Sequence, residues 1–272
     1  MLARLQNYEV VALGTAGWIP AGTRETNCLA VKTGDALFFF DVGTGLRRLM
    51  VDPARNLLDG ELPIYVFLSH FHLDHVIGVS FFPLIFRHRT VTILGPGKEI
   101  SGCTTAEALT QLCSRPLFPS TPDRFPLNLT IGDLHAGENE VGGHLVRTIR
   151  QRHADPSVGI RLDETICYVT DTACAEQTAT FAKDAELLFH ECWLDRAGHR
   201  EALQEPGSPV LETHCHVDGV SSIATQAGAG KLVLIHLNPV YDALRLEAML
   251  REAREGFPET VLGHDLQSYS VH

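Results

Sequence analysis

The sequence predicts a layered α/β fold in one domain over residues 1–272, and three observations carry that expectation. Short runs of apolar and β-branched residues alternate with segments of helical apolar spacing, which in one chain implies strands and helices stacked in layers. Strand after strand delivers a His or an Asp at its C-terminal end, the edge where ligands bind in open α/β sheets. No low-complexity linker, long charge run or convincing local repeat divides the chain.

Taken in order, Val10–Leu13 reads as a first strand and Gly14-Thr15-Ala16-Gly17 as the tight loop leaving it. Cys28–Lys32 and Ala36–Phe40, joined by Thr33-Gly34-Asp35, form a hairpin pattern. Asp41 follows, and Val42-Gly43-Thr44-Gly45 opens a helix through Met50. Ile64–Leu68 is a buried strand, and Val91–Pro96 is another strand and its stop. Thr104–Cys113 reads as a short helix, and the proline-rich Pro116–Pro126 as a loop, either a lid over a site or plain surface. Strands then lead to His153 (Leu145–Ile149), Asp171 (Thr165–Thr170), His190 (Ala185–Phe189) and His236 (Leu232–Ile235). Val217–Ala227 and Asp242–Glu255 carry apolar residues at helical spacing.

Composition narrows the function classes. The chain is 44% hydrophobic and 20% charged, as in ordinary soluble globular proteins. With 22 Lys and Arg against 33 Asp and Glu, the formal charge is −11, which argues against nucleic-acid partners held by their phosphate backbone. Neither Met1–Asn7 nor any later segment has the apolar length of a signal peptide or membrane span, so a cytoplasmic protein with no membrane partner is expected. The seven cysteines (Cys28, Cys103, Cys113, Cys167, Cys174, Cys192, Cys215) include no CxxC pair, and reduced thiols are expected.

The chemistry concentrates in His70-Phe71-His72-Leu73-Asp74-His75, three imidazoles and a carboxylate within six positions at the end of a strand. Counting the other strand-end groups, His70, His72 and His153 suit one cation, Asp74, His75 and His236 a second, and Asp171 has two oxygens with which to bridge them. Asp41 is placed to accept from the far nitrogen of a ligating imidazole. Imidazole and carboxylate without thiolate suit two divalent ions, zinc first, with manganese or iron also satisfied. A water shared by two such ions ionises near neutral pH, and the hydroxide attacks phosphorus or a carbonyl carbon.

The run His70-x-His72-x-Asp74-His75, followed in order by His153, Asp171 and His236 and preceded by Asp41, resembles the metallo-β-lactamase superfamily over nearly the whole chain. That resemblance implies an αβ/βα sandwich, two mixed sheets face to face with helices outside, and a dinuclear site at one edge. Leu13–Gly17, Tyr168–Thr172, Leu188–Cys192 and Thr213–His216 are most similar to the ribonuclease Z-like phosphodiesterase branch. Carried over from that branch, His214 paired with Glu191 assists the leaving oxygen, with His216 the competing choice, and His190 is read as core packing. Asp74, His214 and Glu191 are thus the candidate catalytic residues. Ribonuclease Z proper carries a long exosite between the third metal His and the bridging Asp, whereas His153 and Asp171 are only 18 positions apart. The segment Asp155–Arg161 is closer to small phosphodiesterases of cyclic nucleotides or cyclic sugar phosphates. The expected function is therefore hydrolysis of a small or cyclic phosphodiester. Thioester, lactone or sulfate-ester hydrolysis and a ribonuclease Z-type endoribonuclease are the enzyme alternatives, and a metal-binding sensor or interaction protein is the alternative outside enzymes. Relatives imply a homodimer as the assembly to look for.

Overall fold

The computed structural model describes residues 8–205 and 207–271; Met1–Asn7, weighed above for the apolar length of a signal peptide, lie outside them. Seven strands form the first sheet: β1 (Glu9–Gly14), β2 (Cys28–Lys32), β3 (Leu37–Phe40), β4 (Ile64–Phe67), β5 (Thr90–Pro96) and β6 (Asn128–Leu134), with the late β14 (Ser268–Tyr269) beside β1. The second sheet holds β7 (Gly137–Val141), β8 (His144–Arg150), β9 (Val158–Leu162), β10 (Ile166–Val169), β11 (Leu187–Glu191), β12 (Lys231–Ile235) and β13 (Thr260–Leu262), side by side in chain order. Both sheets are mixed. β3 through β6 run parallel, as do β10 through β13, while the remaining pairings are antiparallel.

The central strands read as unbroken apolar runs because both of their faces are covered. In Leu37-Phe38-Phe39-Phe40, Phe38 and Phe40 point into the layer between the sheets, against Ile160, Tyr168, Phe189 and Val233 of the facing sheet. Leu37 and Phe39 point outward, to a core with Leu46, Val79, Phe82 and Leu109. On the far side of the second sheet the helices Val217–Ala227 and Ala243–Gly256 supply Val220, Ala224, Met249 and Leu250. Four layers result: helices, sheet, sheet, helices. Burying any one of these large side chains contributes roughly 1.5–3 kcal/mol. No helix among the described residues is long and apolar enough to cross a membrane.

Three expectations change. The helix expected through Met50 is a 3₁₀ helix over Thr44–Met50, its start pinned by the Thr44 N–H donating to Thr26 Oγ1 at 2.8 Å. The Pro116–Pro126 loop is not a lid: Phe118 and Phe125 turn inward onto the outer core of the first sheet, their rings 5.9 Å apart, and none of the loop lines the cleft described below. The cysteines are not all reduced, since Cys174 and Cys215 form a disulfide; 41 positions separate them in the chain, and only the fold brings their Cα atoms to 4.9 Å.

Candidate metal centre

The side chains of the cluster lie at strand ends or in the segments that follow them, Asp74 and His75 in the helical turn Leu73–Val76. Asp41 follows β3 and His70–His75 follow β4 in one sheet; His153 follows β8, Asp171 follows β10, Glu191 ends β11 and His236 follows β12 in the other. The cluster therefore sits at one edge of the sandwich, where the sheets meet and the Val158 N–H donates to the Ser69 carbonyl at 2.9 Å. Asp41, Asp171 and His236 leave their strands at φ 54, 48 and 47°, in the left-handed region. Asp and His tolerate that region better than bulky or β-branched residues, and such strain collects at functional sites.

The structure brings His70, His72 and His153 to one side of Asp171, and Asp74, His75 and His236 to the other; within each set the potential ligand atoms lie within 4.8 Å of one another. Asp171 Oδ1 lies 3.5 Å from His153 Nε2 and 4.0 Å from His70 Nε2, while Oδ2 lies 3.1 Å from His75 Nε2 and 3.2 Å from His236 Nε2. Asp74 Oδ2 is 3.2 Å from His75 Nε2 and 3.4 Å from His236 Nε2.

The outer nitrogens decide which inner ones are free. His75 Nδ1 donates to Asp41 Oδ2 at 2.7 Å, and His153 Nδ1 to the Thr213 carbonyl at 2.8 Å. His70 Nδ1 donates to Ser69 Oγ at 3.0 Å, and that hydroxyl donates to Asp41 Oδ2 at 2.8 Å. His72 is turned the other way, with Nε2 donating to the exposed Asp155 at 2.9 Å and Nδ1 facing His153 Nε2. Tyr168 OH and the Ser69 N–H complete the bonds to Asp41, at 2.8 and 2.7 Å. The buried Nε2 atoms of His70, His75 and His236 are left without a hydrogen-bond partner. Buried polar atoms are seldom left so, and lone pairs converging on shared carboxylates fit a divalent cation.

Electrostatics points the same way. Burial, with repulsion from His75, pushes the His70 imidazole well below its usual range. Burial also opposes charge on His75 and His236, but Asp74, Asp171 and Asp41 outweigh it at the first and raise it well above its ordinary value. At His236, Asp171, Asp74 and Glu191 raise it to about 10. Asp171 is buried, yet His236, His75 and His70 hold its carboxyl well below the usual carboxylate range. The carboxylates thus demand buried positive charge, which protons supply in the metal-free state and a cation supplies with more direction.

Beside the cluster, His214 donates from Nδ1 to Glu191 Oε2 at 2.8 Å, and its ring reaches Asp171 and His236. Glu191 is fully buried; its other oxygen accepts the Thr172 and Cys215 N–H groups at 2.6 and 3.2 Å. Burial raises the Glu191 carboxyl, but His214 and His236 prevail and hold it at about 2. His216 points elsewhere: it caps the following helix by accepting the Gly219 N–H at 3.3 Å and stacks on His199. His190 is buried, its Nδ1 bonded to the Glu191 carbonyl. Above the cluster opens a cleft of about 390 Å³ whose lining includes Trp18, Ala154, Trp193, Pro209 and Val210. Sequence reasoning passed over these, although Trp18 adjoins the first glycine loop and Trp193 follows Glu191-Cys192 directly. A larger cleft of about 470 Å³, near Arg24 and His264, contains none of the clustered ligands.

A four-layer sandwich of two mixed sheets with a His- and Asp-rich centre at one edge defines the metal-dependent hydrolases of metallo-β-lactamase fold. Residues 38–237 match the model for the Beta-lactamase superfamily domain, and the chain belongs to that family. It is 25% identical to ribonuclease Z of Thermoplasma acidophilum in an alignment of 310 positions that covers 97% of each chain. Among solved structures, the metallo-beta-lactamase fold protein YhfI from Bacillus subtilis superposes with TM-score 0.73 at 20% identity, over 97% of this chain and 99% of that one. A diphosphatase from the PhnP family superposes with TM-score 0.69 at 16% identity, over 97% of this chain and 98% of the other.

Proposed function

We propose that this chain is a phosphodiesterase acting on a small phosphodiester, with His70, His72, His153 and Asp171 holding one zinc ion and Asp74, His75, His236 and Asp171 a second. Manganese and iron are the alternative occupants of the same donor set. When bound, the cations supply Lewis-acid stabilisation of charge on phosphorus and an ionised water as nucleophile. The observation that most supports a phosphodiester is the His214–Glu191 pair beside the cluster. Glu191, held ionised, fixes the proton on His214 Nδ1, which leaves Nε2 to carry a second proton to the departing alkoxide. Asp74 is oriented by accepting the Trp18 N–H at 2.8 Å, and with His75 and His236 it would hold the second cation and help orient the nucleophile that the cations would supply. A continuous core between the sheets supports treating residues 1–272 as one domain.

Small substrates are favoured by the 18-position spacing from His153 to Asp171. They are favoured too by the 310-position alignment, which requires insertions in the relative that this chain of 272 residues lacks. The full-length likeness to a ribonuclease Z carries the second reading, a ribonuclease Z-type endoribonuclease. The test is hydrolysis of bis(p-nitrophenyl) phosphate beside a precursor tRNA, a thioester and a lactone, on protein of measured metal content. Metal-dependent diester turnover that falls about 10²- to 10⁴-fold in His214→Ala, with metal content unchanged, is the expected result. Cleavage of the thioester or lactone in its place removes His214 and Glu191 from these roles, and precursor-tRNA cleavage without small-diester turnover establishes the second reading.

A further inference from the structure

The chain has two tryptophans, and both line the cleft over the metal cluster. Trp193 is fixed from below, stacked on His214 with centroids 4.6 Å apart and planes 17° apart, and tilted over His236 at 5.4 Å. Trp18 differs. The residue is 69% exposed, although its backbone is tightly held: φ is 61°, its N–H donates to Asp74 Oδ2, and the preceding Gly17 N–H donates to the Leu237 carbonyl at 3.0 Å. A left-handed backbone is costly for a bulky residue, and an exposed indole leaves a large apolar face in water. Such a residue stands at the mouth of the site with its backbone tied through its own N–H to a candidate metal ligand and its ring face open to what enters.

The rest of the lining shows what that ring meets. Ala154, Pro209 and Val210 are apolar, and the Thr213 hydroxyl is already bonded to the Pro209 carbonyl at 3.0 Å. Among the described residues lining the cleft there is no Lys or Arg. Beyond the metal cluster, nothing is arranged to neutralise additional phosphates, and few groups are free to bond the hydroxyls of a bare sugar. A planar aromatic surface carrying one ionised phosphate matches both properties.

We infer that Trp18 is the specificity-determining residue of this site and that, with Trp193, it receives a planar aromatic group, a nucleobase or aryl ring, carried on a phosphodiester of a single negative charge. This rests on the phosphodiesterase reading. Stacking of a base on an aromatic side chain is worth about 1–3 kcal/mol, or roughly 5- to 150-fold in kcat/KM.

The experiment measures kcat/KM of metal-loaded wild type, Trp18→Phe and Trp18→Ala on thymidine 5′-(p-nitrophenyl phosphate) and on glycerophosphoglycerol, a diester with no aromatic ring, followed by product release. In parallel it follows the fluorescence of Trp193→Phe, in which Trp18 is the remaining tryptophan, during titration with thymidine monophosphate or ribose 5-phosphate. The expected result is a 5- to 150-fold loss on the thymidine ester in Trp18→Ala, recovered in large part by Trp18→Phe, with emission quenched by the nucleotide and not by the sugar phosphate. A loss under twofold in Trp18→Ala, or one that Trp18→Phe does not recover, overturns the inference. If wild type cleaves neither diester, the phosphodiesterase reading fails, and the fluorescence titration alone decides what Trp18 binds: equal quenching by both ligands, or none, ends the proposal.

Discussion

Asp41→Asn tests how the centre is held. Asp41 is fully buried and accepts four hydrogen bonds: three reach Oδ2, from Ser69 Oγ, His75 Nδ1 and Tyr168 OH, and one reaches Oδ1, from the Ser69 N–H. An asparagine keeps the most acceptor capacity by placing its oxygen at the Oδ2 position, and its amide then faces the Ser69 N–H, donor against donor. One buried N–H left unpaired costs about 1–3 kcal/mol. For a chain of this size that is a fall of roughly 2–10 °C in melting temperature. The bonds that remain lose their charge-assisted part. They orient His75 directly and His70 through Ser69, and these two imidazoles belong to opposite sides of Asp171. Loss of such outer partners weakens metal binding about 10- to 100-fold, and here both sets weaken together. Competition with a calibrated chelator at fixed pH, with melting curves of the metal-free protein alongside, reads both effects. Metal affinity within threefold of wild type, or weakening of one equivalent while the other is untouched, would refute this account of Asp41.

Two further perturbations probe the surroundings of His236. A Cβ at Gly17 would lie 2.6 Å from the His236 ring and 2.7 Å from Trp193, so Gly17→Ala is expected to displace both rings and lower metal affinity and turnover, measured by metal content and diester hydrolysis. The pH dependence of the metal-free protein has a definite sign. His236 is raised to about 10 when folded against about 6.5 unfolded, so its contribution is fully present below about pH 6.5 and is lost as pH rises towards 10. Chelated protein should therefore melt progressively lower between pH 7 and 10, while metal-loaded protein, whose His236 is neutral, should not; a flat chelated profile contradicts this.

What the sequence displayed and what it concealed follow from where each residue sits. β4, β10 and β12 are covered on both faces and read as apolar runs, so the strand-end groups His70, Asp171 and His236 could be found in order. β6 and β7 lie at sheet edges with Thr130, Asp133, Glu138 and Glu140 along them, and leave no such run. Asp41 was legible as an acceptor for an imidazole because it too follows a strand. Its donor Tyr168 was not, since 127 positions separate the two and only the facing of the sheets joins them. The Cys174–Cys215 bridge was hidden for the same reason, and chain spacing favoured free thiols. Trp18 escaped notice because an exposed aromatic after a glycine loop carries no periodic signal; its backbone bond to Asp74 gives it meaning.

The contacts that build the centre are also contacts between the sheets. From the first sheet, Asp41 accepts from Tyr168 of the second; Asn27, which precedes β2, donates from Nδ2 to Thr170 Oγ1 at 3.1 Å, and Thr170 donates to Asp171 Oδ2 at 2.6 Å. His70, His72, Asp74 and His75 come from the first sheet and His153, Asp171 and His236 from the second, so neither sheet holds either proposed set of ligands by itself. Separating the sheets dismantles the site, and a cation bound to the assembled site opposes that separation. Binding that is selective for the closed sandwich stabilises it by about 4 kcal/mol at a free concentration a thousand times the Kd. That is a large share of the roughly 5–15 kcal/mol by which folded domains exceed their unfolded chains. On the proposed assignment, closure of the fold and capture of the metal are one coupled equilibrium, in which a cation takes over from protons on His75 and His236 the balancing of the buried carboxylates.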